Sequence, residues 1–78
     1  MVIEVLGSGC AKCNKLEEVA RAAVARYGIE ASVTHVSDMQ KILDYGVMMT
    51  PALVCDGKVL LTGRVPSVDE CAQLLQQG

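Results

Sequence analysis

Val2-Ile3-Glu4-Val5-Leu6 runs straight into three small residues, Gly7-Ser8-Gly9, and from there into a long helical period. That junction leaves few topologies open. The first run is short and β-branched, as a strand should be, and the glycines mark the turn that ends it. From Ala11 to Tyr27, the residues Leu16, Val19, Ala20, Ala23, Val24 and Tyr27 fall on one helix face, and Gly28 closes the helix. Ala31-Ser32-Val33-Thr34-His35-Val36 then alternates like a half-buried strand. A strand–helix–strand succession closes as a right-handed parallel unit.

The remainder extends the sheet. Ser37 or Asp38 caps a brief helix through Met39, Ile42 and Leu43, ended by Gly46. After Thr50-Pro51, the unbroken apolar run Ala52-Leu53-Val54-Cys55 reads as an interior strand. Asp56-Gly57 signals a two-residue hairpin, with Lys58 to Thr62 returning as its partner strand. Gly63-Arg64-Val65-Pro66 breaks the sheet, and Ser67-Val68-Asp69-Glu70 is a capping box. It opens a last helix with Val68, Cys71, Ala72 and Leu75 inward. The expected architecture is a single α/β domain over residues 1–78, βαβαββα, with a four-stranded mixed sheet and helices on both faces.

Composition removes several functions. Trp and Phe are absent, and Tyr27 and Tyr45 are the only aromatics, which disfavours stacking on nucleic-acid bases. A formal net charge of −2 and scattered basic residues argue against a phosphate-backbone binder, so no nucleic-acid partner is expected. No apolar run approaches the ~20 residues of a membrane span. Met1-Val2-Ile3-Glu4 lacks the basic flank of a signal peptide. The expected setting is cytoplasmic, without membrane attachment. There, four cysteines point to redox or metal chemistry rather than to a disulfide scaffold.

Cys10-Ala11-Lys12-Cys13 stands where the first strand gives way to the first helix. Two cysteines three residues apart at a helix start bring their sulfurs within disulfide reach. Cys10, at the cap, faces the unpaired amides of the first turn, whose partial positive charge favours a thiolate, and Lys12 adds a cation. Cys13, one turn in, is less exposed and suited to resolving a mixed disulfide. The spacing alone leaves a redox pair, a metal half-site and an incidental pair open. The position at a strand-to-helix turn favours redox.

This cysteine motif, Gly46 with Thr50-Pro51-Ala52-Leu53, the Asp56-Gly57 hairpin and Gly63 before the last helix resemble the thioredoxin/glutaredoxin superfamily. The similarity is greatest to its minimal members, the small redox-active disulfide proteins, and covers nearly the whole chain. It implies a thiol–disulfide oxidoreductase with Cys10 as nucleophile and Cys13 as resolving thiol, joined in a redox-active Cys10–Cys13 disulfide with no other cofactor. It implies a cis Thr50–Pro51 bond, with the Thr50 backbone pairing with an extended substrate segment. Gly63 matches the glycine that keeps the neighbouring surface open. Glu4, six residues before Cys10, occupies the strand position of the family's buried acid and is the expected proton acceptor for Cys13. The implied partners are protein disulfides, with a reductase or low-molecular-weight thiol for recycling, and a monomer is expected.

Two positions depart from the family pattern. Gly9 stands where thioredoxins carry Trp, and Ala11-Lys12 replaces the familiar Gly-Pro. Both bear on substrate range and reduction potential. The rival is a metal-trafficking domain using both thiolates, since such domains also place this cysteine pair after a first strand. Those domains carry their hairpin between two helices and end in a strand, whereas here the hairpin follows the second helix and a third helix ends the chain. No metal site is therefore expected. Cys55 and Cys71 read as buried, inert thiols, and His35, with no partner identifiable in sequence, as structural. Met48 and Met49 border the substrate groove or pack within the loop. Lys12 stands where a dinucleotide fingerprint needs its third glycine, so that reading fails.

Overall fold

The computed structural model describes residues 1–7, 9 and 11–77. Its elements are β1 (Val2–Leu6), α1 (Ala11–Arg26), β2 (Ser32–Val36), α2 (Met39–Asp44), β3 (Ala52–Cys55), β4 (Lys58–Thr62) and α3 (Val68–Gln77). The expected α/β architecture is present: a four-stranded mixed sheet in the order β2-β1-β3-β4. β1 pairs in parallel with β2, with Val5 opposite His35 and Leu6 opposite Val36. β1 is antiparallel to β3, and β3 to β4.

Alternation along β1 and β3 divides the core between two faces. Ile3, Val5, Leu53 and Cys55 pack beneath α1 and α3, against Leu16, Val19, Ala20, Ala23, Cys71, Ala72 and Leu75. The small residues Ala20, Ala23 and Ala72 let the two helices approach closely. Leu6, Ala52 and Val54 form the other face, closed by Ile42 of α2 and by Val47. β3 is buried on both sides, which is why its sequence does not alternate. In β4 the register slips opposite Leu53/Val54, so Leu60 and Leu61 both pack toward the α1/α3 core.

Local chemistry sets the element ends. Asp56 and Gly57 both have positive φ (50° and 84°), as a primed hairpin turn requires. Asp56 also exchanges hydrogen bonds with Val2: its amide donates to Val2 O (2.8 Å), and its Oδ1 accepts from Val2 N (2.7 Å). Asp38 caps α2, accepting from the Gln40 amide at 3.0 Å. Ser67 Oγ accepts from Glu70 N (3.1 Å), half of the expected capping box. The Glu70 carboxylate turns instead to Arg64, which holds it below the usual carboxylate range.

Three expectations change in detail. α1 stops at Arg26, and Tyr27 lies half in solvent, where its hydroxyl donates to Asp69 and ties α1 to α3. β2 begins at Ser32 rather than Ala31. α2 is too short to cover its own apolar stripe: Ile42 is buried, but Met39 and Leu43 are each 60% exposed.

Candidate active site

β1 delivers the chain to Gly7, which is buried and whose N–H donates to Val36 O at 3.0 Å. The next described helix residues, Ala11 and Lys12, are exposed on the first turn of α1. Cys13 follows with no solvent exposure. Its sulfur rests directly on Gly7: a Cβ placed there would lie 2.0 Å from Cys13 Sγ and 3.9 Å from Thr50 Cβ. The close approach demands glycine. It also brings Cys13, on α1, together with Thr50, in the loop before β3. Cys10 lies outside the described residues.

On the far side of that loop, the Thr50–Pro51 bond is cis, and Pro51 is buried. Pro51 O accepts from Gly63 N at 2.8 Å, so the prolyl segment and Gly63 stand side by side at the ends of β3 and β4. A Cβ on Gly63 would press on Met49 Cε at 3.1 Å, so the absent side chain leaves space that Met49 occupies. Met48 is 97% exposed. With Met39, Ile42, Leu43, Val47 and Thr50 it lines an open apolar groove of 330 Å³. Glycines 7 and 63, Cys13, Thr50 and Pro51 thus converge, although they come from distant parts of the chain.

Glu4 points to the α2 side of the sheet, half-buried, and its carboxylate accepts from the Tyr45 hydroxyl. That bond, with burial and the carboxylate's charge behind it, raises the Tyr45 phenol above its ordinary value. Tyr45, at the C-cap of α2, could be recognised in sequence only as a loop aromatic. His35 has partners that no local pattern signals. Its Nδ1 lies 3.1 Å from Glu17 Oε1 on α1, and its Nε2 lies 3.2 Å from Gly7 O.

Cys55 and Cys71 are free, buried thiols in the α1/α3 core. Burial, then the charge of Glu70, pushes the Cys71 thiol up to about 11. Burial, then Asp56, raises Cys55 as well. Both stay protonated near neutrality and lack the thiolate that exchange needs. Among the described residues, no group of three or more His, Cys, Asp and Glu side chains is placed to hold a metal ion, and no helix is long and apolar enough to cross a membrane.

A parallel βαβ start, an antiparallel ββα finish and a cis prolyl segment beside the first helix define a thioredoxin-like domain. The thioredoxin domain family matches residues 1–76. A thioredoxin of Methanothermobacter thermautotrophicus is 40% identical over 75 residues, covering 96% of this chain and 97% of its own. A thioredoxin of Methanocaldococcus jannaschii is 36% identical over 76 residues, covering 97% and 87% respectively. The chain belongs to the thioredoxin-domain family. That membership supports a function of thiol–disulfide oxidoreductase type, and it does not favour the metal-trafficking alternative.

Proposed function

We propose that the protein reduces disulfides in partner proteins through Cys10 and Cys13. The observation that carries the reading is the seat of Cys13, a buried sulfur on Gly7 beside Thr50 and the prolyl segment. The Cys10 thiolate attacks one sulfur of the partner's disulfide. That S–S bond breaks, one partner sulfur leaves as a thiolate and takes a proton, and a mixed disulfide forms. Cys13, losing its proton, attacks Cys10 in turn and expels the second partner sulfur as a thiol. Two electrons have then passed to the partner, and a Cys10–Cys13 disulfide remains. A reductase or a low-molecular-weight thiol returns it to the dithiol.

Lys12, exposed on the first turn of α1 and adjacent to Cys13 in the chain, favours the attacking thiolate. Thr50 offers its backbone to an extended partner segment, beside Gly63, whose open side is filled by Met49. Met48 and Met49 supply an adaptable apolar margin. Glu4, across the sheet with its carboxylate engaged by Tyr45, is given no part in moving the Cys13 proton. The decisive assay is turnover on a protein disulfide for wild type, Cys10→Ser and Cys13→Ser. Cys10→Ser is inactive, and Cys13→Ser accumulates mixed disulfides. Unchanged turnover in both variants defeats the assignment.

A further inference from the structure

The imidazole of His35 stands between two groups that can only accept. Nδ1 faces the Glu17 carboxylate at 3.1 Å, and Nε2 faces the Gly7 carbonyl at 3.2 Å. A neutral imidazole carries one N–H and one lone pair, so it satisfies one of these acceptors and turns its lone pair on the other. The imidazolium donates to both. We infer that His35, in its charged form, is a positioning residue that bridges Glu17 of α1 to the Gly7 carbonyl and so holds Gly7 against the sulfur of Cys13. The inference rests on the oxidoreductase reading above and adds a control to the same site.

The contacts form a closed ring. Gly7 is gripped at both ends by β2: its N–H donates to Val36 O at 3.0 Å, and its carbonyl meets His35. Its Cα surface is the floor on which Cys13 Sγ sits. Glu17 lies four residues beyond Cys13, one turn along α1, so the path runs from Cys13 through Gly7, His35 and Glu17 back to the same helix. Arg21 steadies Glu17, donating Nε to its Oε2 at 3.1 Å and Nη2 to Val33 O at 3.1 Å. Loss of charge on His35 therefore loosens one link in the ring and frees the floor beneath the resolving sulfur.

The surroundings make His35 the group that responds. From α1 it meets Glu17 and, behind it, Arg21. From β1 it meets its register partner Val5 and the Gly7 carbonyl. β2 carries no other charged side chain, and Glu4 lies on the opposite face with Tyr45. Histidine is the side chain whose charge ordinarily changes between about pH 5 and 8. Its 22% side-chain exposure gives protons access to the ring.

The test combines carbon-detected NMR with alkylation of the reduced protein by iodoacetamide, both from pH 5 to 8. In wild type, the Gly7 carbonyl, the Glu17 carboxyl and the His35 ring follow one titration. The alkylation profile carries a matching step on top of thiol ionisation. His35→Gln keeps a donor of similar size but cannot become charged, so the step is lost and the Gly7 carbonyl stops titrating. Should that variant fail to fold, Glu17→Gln serves: the neutral acceptor stays, the anion goes, and the step moves to lower pH. A Gly7 carbonyl that ignores the His35 titration, or superimposable profiles for wild type and either variant, overturns the inference. A wild type that titrates as described but reduces no protein disulfide leaves His35's hold on Gly7 standing and sinks the oxidoreductase proposal instead.

Discussion

Gly7→Ala tests whether Cys13 is seated as the structure has it. The added methyl would lie 2.0 Å from Cys13 Sγ and 3.0 Å from Cys13 Cβ. Carbon and sulfur in contact stand about 3.5–4 Å apart, so one of the two must move by roughly 1.5–2 Å. Neither has anywhere to go, because both residues are buried. Overpacking of this kind costs about 1–3 kcal/mol, and the severity of the overlap puts Gly7→Ala near the upper end. For a domain of this size, ~2 kcal/mol lowers Tm by about 8–16 °C. The assay is urea unfolding under reducing conditions for wild type, Gly7→Ala, Cys13→Ala and the double variant, so that no disulfide contributes. Cys13→Ala removes the atom struck first, so the double variant should be more stable than the sum of the singles predicts, by at least about 1 kcal/mol. Strictly additive costs, or a Gly7→Ala penalty below about 0.5 kcal/mol, would refute the packing argument. Under the proposed function, the displaced sulfur should also slow resolution, and mixed disulfides should accumulate.

Three further outcomes rest on burial and charge elsewhere in the fold. The Cys71 thiol, at about 11 against 9.0 for an ordinary cysteine, holds its proton longer in the folded chain than in the unfolded one. Its contribution, up to about 3 kcal/mol, is full below pH 9 and lost as pH rises to about 11. Cys71→Ala should thus shrink the alkaline fall in urea midpoint without removing it, since Cys55 is raised too; an unchanged fall contradicts the burial argument. Arg64 holds Glu70 below the usual carboxylate range, so their pairing stabilises at neutral pH and fades as acid protonates Glu70. Glu70→Gln should flatten the acid limb of the stability profile in low salt, and an equal limb in both proteins counts against it. Met48, at 97% exposure, packs on nothing, so Met48→Asp should leave stability within about 0.5 kcal/mol. The same change should raise KM for a partner disulfide flanked by apolar residues, with kcat little altered; an unchanged KM removes Met48 from the docking margin.

What could be read along the chain was whatever a short window determines. The β-branched run at 2–6, the helical spacing from Ala11, the Asp56-Gly57 turn and the Ser67 cap each act over a few residues, and each appears where its local chemistry puts it. Periodicity misled where the tertiary surface runs out. Tyr27, Met39 and Leu43 keep the spacing of a buried face, yet they extend past what the neighbouring elements can cover. The site divides in the same way. The cysteine motif and Thr50-Pro51 announce themselves by type and order, but the tie from Pro51 to Gly63, the phenol of Tyr45 on Glu4 and the ring around His35 join residues 12 to 41 positions apart. Such pairs arise only when a parallel β1–β2 register sets His35 beside Val5 and an antiparallel hairpin sets Thr62 beside Ala52. Gly7 shows the difference most clearly. In sequence it is one of two turn glycines flanking Ser8; in the folded chain it is the only residue type that lets the sulfur of α1 reach the end of β1. Its role is a property of two elements meeting, and a pattern confined to either one cannot carry it.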